Sequence, residues 1–172
     1  MDWGLVRKML ALPGMALVAV PAGIIVASSG TAWAARGASP GSLPFWLALF
    51  LGAAGLRLVI TTTALFVRYG EGTPAPWEPP RKLVVTGPYR YVRNPMIIGA
   101  LLILLAETLL FRSLPLLLWA TIFFLVNALY FPLFEEKGLE KRFGEEYRAY
   151  KARVPRWLPR RHPWNDDRNR CL

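Results

Sequence analysis

MIIGALLILLAETLLFRSLPLLLWATIFFLVNALYFPLF, residues 96–134, decides the fold. It holds two apolar runs, 96–111 and 116–134, separated only by Arg112-Ser113-Leu114-Pro115. Crossing a hydrocarbon core about 30 Å thick takes about 20 helical residues, each rising about 1.5 Å. The second run is long enough and the first is short for a full crossing. Joined by a tight turn, they read as an antiparallel helical hairpin.

Toward the amino end, residues 44–67 form another apolar run, with Arg57 inside it, and residues 12–28 form a third. Pro13 and Pro21 lie within the latter, where a membrane helix tolerates proline better than an exposed one. A signal peptide is the competing reading, since Arg7 and Lys8 precede the stretch and Ala32-Trp33-Ala34 follows it. The stretch is long for a signal core, and more spans follow. Between the second and third runs, residues 70–80 (GEGTPAPWEPP) carry too much proline for a regular helix. Beyond the hairpin, Leu139, Phe143, Tyr147 and Tyr150 recur at spacings of four, four and three, one face of a helix. Lys137, Lys141, Arg142, Arg148 and Lys151 fill its other faces, and Pro155 and Pro159 end it. The expectation is an all-α integral membrane protein. It has about four transmembrane helices, a C-terminal helical hairpin and an amphipathic interfacial helix. Residues 1–68 hold the first two spans, and residues 69–172 hold the loop, the hairpin and the tail of the same membrane domain.

The chain is 54% apolar and carries a net charge of +10. Its cations flank apolar segments and are not interleaved on a soluble face, which argues against nucleic acid as a partner. Lys and Arg number two before the first span, five over 68–95 and eleven after residue 135. The opposite loops hold only Arg36 and Arg112. By the positive-inside rule, both termini and the basic 68–95 segment are cytoplasmic, as in a bacterial inner membrane. One cysteine, Cys171, and one histidine, His162, leave no basis for a disulfide framework or a metal site.

Two polar segments meet at the cytoplasmic mouth of the hairpin. One is RKLVVTGPYRYVRNP (81–95), entering the third span; the other is Glu135-Glu136, leaving the fourth. Amide, hydroxyl, cationic and carboxylate groups gathered there suit an amphiphilic ligand. Interfacial anchoring is the plainer account of the same charges. Glu at a helix C-terminus opposes the macrodipole, which tilts the balance toward a function for this pair. Within the apolar runs, Arg57 lies mid-span and Glu107 near the far end of its run. That difference in depth argues against an ion pair between them.

Gly-Pro-Tyr-Arg-Tyr-Val-Arg-Asn-Pro (87–95), a short hairpin, Glu135-Glu136, then Phe143-Gly144-Glu145-Glu146-Tyr147 and Tyr150-Lys151-Ala152-Arg153-Val154-Pro155 resemble the isoprenylcysteine carboxyl methyltransferase family. The membrane phospholipid methyltransferases are similar. The resemblance covers about residues 81–159. It implies S-adenosylmethionine (SAM) as methyl donor, and a lipophilic or prenylated acceptor reached from the lipid bilayer. Carried over by position, the donor site uses Lys82, Leu83, Val84, Val85, Tyr89, Asn94, Pro95, Met96, Ile97 and Glu135. Glu136 or Tyr91 is the candidate to accept a proton from an amine, and Arg93 and Arg153 are candidates to contact an anionic headgroup or the acceptor. Two positions depart from the pattern. Asn94 stands where the family usually has His, and Phe131 stands where the prenylcysteine enzymes have an acceptor-binding Arg. Two rival readings remain: a sterol-type membrane reductase that would set Arg90, Arg93 and Arg153 on NADPH phosphates, and a non-catalytic lipid-binding scaffold.

Overall fold

The computed structural model describes residues 14–70 and 82–164. Within them every regular element is helical. Helix α1 spans Met15–Ser28, α2 Leu43–Tyr69, α3 Pro95–Phe111, α4 Leu114–Tyr130 and α5 Glu136–Arg153. A 3₁₀ turn covers Gly87–Arg90, and a π-helical turn, Phe131–Glu135, joins α4 to α5. Two helices have the length and apolar character to cross a membrane: α2, and the continuous Leu114–Arg153 helix that begins with α4. Helices α1 and α3 are apolar but shorter. Most of the proline-rich 70–80 stretch lies outside the described residues.

Both π-helical segments sit at prolines. Met15–Ala19 opens α1 just before Pro21, and Phe131–Glu135 contains Pro132. A proline ring cannot donate to the helix ladder and crowds the carbonyl four residues back. In the second segment the Glu136 N–H donates to the Phe131 carbonyl five residues back, so the turn around Pro132 is wider than an α-helical one. The extra residue resets the helical phase immediately before Glu135 and Glu136.

The chain divides into two compact units: Met1–Ile60 with Ile97–Leu129, and Thr61–Met96 with Tyr130–Leu172. In the first, α3 and α4 pack through Leu104 and Ala120, with Ala100 and Leu17 of α1 in the same cluster. The Trp119 indole N–H donates to the Ala16 carbonyl at 3.0 Å, tying α4 to α1. Arg36 and Ala38 donate backbone N–H groups to the Phe111 and Leu110 carbonyls. These satisfy helix-end acceptors that α3 cannot pair itself. Arg112 turns the chain into α4 with φ 46°. Helices α2 and α3 meet at two glycines. A Cβ on Gly55 would lie 2.6 Å from the Gly99 carbonyl oxygen, and one on Gly99 would lie 2.9 Å from that of Gly55. Arg57 is exposed on α2, one buried oxygen of Glu107 has no hydrogen-bond partner, and no ion pair joins the two.

The second unit is built on Tyr147, Tyr150 and Val154, with Leu83, Val85, Leu139, Phe143 and Trp164 packed around them. The spacing predicts one continuous amphipathic helix carrying four of these residues. The structure breaks that helix at Gly144, which takes φ 54° and ψ −126°. Side chains rarely adopt such a backbone, whereas glycine does so freely. A Cβ there would meet nothing within 4 Å, so any penalty is conformational and not steric. Gly144→Ala is expected to lower stability by about 1–2 kcal/mol, read as a drop in thermal midpoint. An unchanged midpoint would mean that the break at Gly144 is not required.

Candidate functional site

The site is assembled from the inside out in the second unit. Tyr89, on the 3₁₀ turn, is buried with its ring edge-on to Phe66 at 5.4 Å. Its hydroxyl bonds Thr62 and its carbonyl accepts the Tyr150 hydroxyl at 2.7 Å. Burial and the neighbouring Tyr150 push the Tyr89 phenol far above its ordinary range, with Thr62 partly opposing them, so it stays neutral. Gly87 enters this turn at φ 57°, close to Leu65. The chain then runs to Asn94, which is buried, and Pro95, the first residue of α3.

The segment after α5 returns along this turn as a strap. Arg93 donates its backbone N–H to the Pro155 carbonyl, Arg160 to that of Tyr91, and Trp164 to that of Arg90. The Arg90 Nε donates to the Trp164 carbonyl at 2.9 Å. The Trp164 ring lies 5.6 Å from that of Tyr150.

Between turn and strap sits Glu136, with 4% of its side chain exposed. Its carboxylate accepts from Arg93 Nη1 at 2.9 Å, from Arg156 Nε at 2.6 Å and from Arg156 Nη2 at 3.1 Å. Lys151 Nζ stands 3.3 Å away and also binds Glu140. Burial alone would raise the Glu136 pKa. The Arg156 hydrogen bond and the Arg93, Arg156 and Lys151 cations outweigh it and hold the carboxyl below its ordinary range. A carboxylate so occupied is a poor proton acceptor near neutrality. Tyr147, also buried, bonds Arg93.

Glu135 has the opposite environment. It is half-buried, and burial raises its pKa, with Arg142 opposing in part. On the turn that enters α3, two donors lack acceptors: Asn94 Nδ2 and Arg93 Nε are buried with no hydrogen-bond partner. Unsatisfied buried donors cost about 1–3 kcal/mol each and call for an explanation such as a ligand.

The remaining candidates are spread more widely. Val84 is buried, Leu83 and Val85 pack against the tyrosine cluster, and Lys82 is exposed. Pro95 is fully buried and Met96 half-buried. Ile97 is the first residue of the other unit's second segment. Arg153 is exposed at the end of α5 and makes none of the Glu136 contacts. Sequence reasoning did not single out Arg156 or Lys151 as partners of Glu136. The available signal was the carboxylate itself, since a Glu buried in an apolar cluster requires cations.

The phospholipid methyltransferase family model matches residues 45–146. An uncharacterised protein of Haemophilus influenzae is 46% identical over 63 residues, which is 37% of this chain and the whole of that relative. No solved structure matches the chain.

Proposed function

We propose that this chain, which belongs to the phospholipid methyltransferase family, methylates a lipid-like acceptor using SAM as donor. On this reading it is an integral membrane protein with four spans. Both ends and the site face the cytoplasm, and the membrane is the bacterial inner membrane. The observation that carries the donor assignment is the pairing of opposite needs in one unit. Asn94 Nδ2 and Arg93 Nε are buried donors without acceptors, and Glu135 is a carboxylate held in a desolvated position. A zwitterionic amino-acid group supplies both complements, a carboxylate for the donors and an ammonium for Glu135. The residues present therefore fit SAM.

When bound, SAM would supply a sulfonium-activated methyl group for the acceptor's lone pair, with the electrons of the carbon–sulfur bond going to sulfur. The leaving thioether is neutral, so no general acid is required. The chain's task is to orient and to exclude water. Glu135 holds the ammonium, and Lys82, Leu83, Val84, Val85, Tyr89, Pro95 and Met96 form the wall of the donor site. Glu136 acts as a positioning residue that fixes Arg93 and Arg156, and proton acceptance by it is the weaker of its two readings. Arg153, being exposed, meets the acceptor's anionic headgroup. With Phe131 in place of an acceptor-binding Arg, a phospholipid-type acceptor is preferred to a prenylcysteine carboxylate.

Calorimetric titration of the detergent-purified protein with S-adenosylhomocysteine tests this, with NADPH as the control. Saturable binding of the nucleoside is expected. Glu135→Ala is expected to weaken it about 30-fold, the worth of one charge-assisted hydrogen bond of ~2 kcal/mol, with an unchanged thermal midpoint. Binding of NADPH alone would overturn the methyl-transfer reading, and full affinity in the variant would remove Glu135 from the site.

A further inference from the structure

Leu158 is 79% exposed, the most of any large hydrophobic side chain among the described residues. A single exposed leucine is ordinary. This one is presented on a fixed backbone. Pro155 and Pro159 flank it, the Pro155 carbonyl accepts from Arg93, and Arg160 donates to Tyr91. Its neighbour Trp157 lies edge-on to Phe131 at 6.1 Å. Beside Phe131, Tyr130, Leu133 and Phe134 are 38%, 50% and 65% exposed. The strap and the end of the helical hairpin thus share one apolar, aromatic patch. Arg153 and Arg161, both exposed, bracket the strap in sequence.

The level of this patch follows from the length of apolar helix that precedes it in the chain. From Leu114 to Phe131 the continuous helix rises about 26 Å, close to the ~30 Å hydrocarbon thickness. Phe131, and Trp157 against it, therefore come where acyl chains give way to headgroups. Tryptophan, leucine and arginine together are the composition of a segment lying in that layer.

We infer that residues 155–161 are an interfacial anchor whose Trp157–Leu158 edge enters an anionic lipid leaflet, and that this contact holds Arg156 on Glu136 and so supports the donor site. The inference rests on the membrane reading above. Charge complementarity selects the occupant: exposed cations beside an apolar edge match acidic headgroups above acyl chains. The mechanical link is short, because Arg156 adjoins Trp157 and places two nitrogens within 3.1 Å of the Glu136 carboxylate.

The full-length chain in lipid nanodiscs tests this in two arms. In a Cys171→Ser background, Leu158→Cys carries an environment-sensitive fluorophore, and Glu146→Cys carries the same probe as a water-exposed control. Quenching of the residue 158 probe by lipids with brominated acyl chains, and of the control by aqueous iodide, is expected. A residue 158 probe quenched only by iodide overturns the anchor. A probe shielded from both quenchers, or one whose cysteine forms a disulfide-linked dimer, overturns it in favour of a protein interface. In the second arm, S-adenosylhomocysteine affinity is compared in discs with and without phosphatidylglycerol. Affinity is expected to rise about fivefold with the anionic lipid, as for one interfacial charge contact, and Leu158→Glu should abolish the rise while keeping its detergent melting midpoint. Equal affinity in both discs overturns the link to the donor site. Absence of nucleoside binding in every disc and in detergent marks failure of the donor reading, and the depth measurement then still decides the anchor.

Discussion

Glu136→Ala will destabilise the unit around it by about 3 kcal/mol, because it leaves the largely buried Arg93 guanidinium and the partly buried Arg156 without a counter-charge. Arg93 loses its 2.9 Å contact with only 10% of its side chain exposed, and Arg156 loses two bonds at once. Thermal unfolding in detergent reads the effect. Pairing Glu136→Leu with Arg156→Leu should recover part of it, since replacing both partners of a buried pair costs far less than orphaning one. The same carboxylate sets an acid limit. Its folded pKa lies below the unfolded value of about 4.5. Its contribution is therefore complete above that value and lost as pH falls through the lower, folded one. Glu136→Gln should lack this acid-sensitive limb. A midpoint unmoved by Glu136→Ala would show that the three cations do not depend on it.

The second large effect is expected at the α2–α3 crossing. Gly55→Ala would put a methyl group 2.6 Å from a backbone oxygen of Gly99, and about 3.0 Å from Ile103 and Leu102 side-chain atoms. A flexible side chain can yield, but a carbonyl in mid-helix cannot do so without moving the helix. The cost should reach about 3 kcal/mol, the upper end for overpacking a tight interface. Gly52→Ala is the control on the same helix. Its Cβ would meet Ala106 Cβ at 3.5 Å, ordinary contact, and its midpoint should change little. Similar midpoints for the two variants would mean that the helices part easily and that the close approach has no energetic role.

The hairpin was legible from 96–134 because apolar runs and a four-residue interruption are one-dimensional signals. The structure reproduces them as α3 and α4 joined through Arg112 and Ser113. The face formed by Leu139, Phe143, Tyr147 and Tyr150 was legible for the same reason, and these residues do pack in one cluster. The break at Gly144 was not. A glycine in a helical pattern is usually tolerated, and only three-dimensional packing decides that this one takes a positive φ. The π turn at Phe131–Glu135 was also hidden. Proline signals a kink, but not whether it is met by breaking or by widening the helix. For the site, only the family resemblance gave Glu135 and Glu136 different roles, since adjacent carboxylates carry no local signal that separates them. Their environments separate them, one desolvated and the other saturated by cations. The cations from beyond α5 could not be assigned, because nothing local to Arg156 says that the chain turns back on residues 90–93.

That return has a consequence for the order in which the molecule is made. The helices leave the ribosome first, and the strap that binds residues 90, 91 and 93 leaves after all of them. Until Arg156 emerges, Glu136 lacks two of its hydrogen bonds and the turn beside it lacks its backbone partners. A nascent chain arrested before residue 156 can therefore carry every described helix and still lack the contacts that enclose Glu136 and tie down residues 90–93.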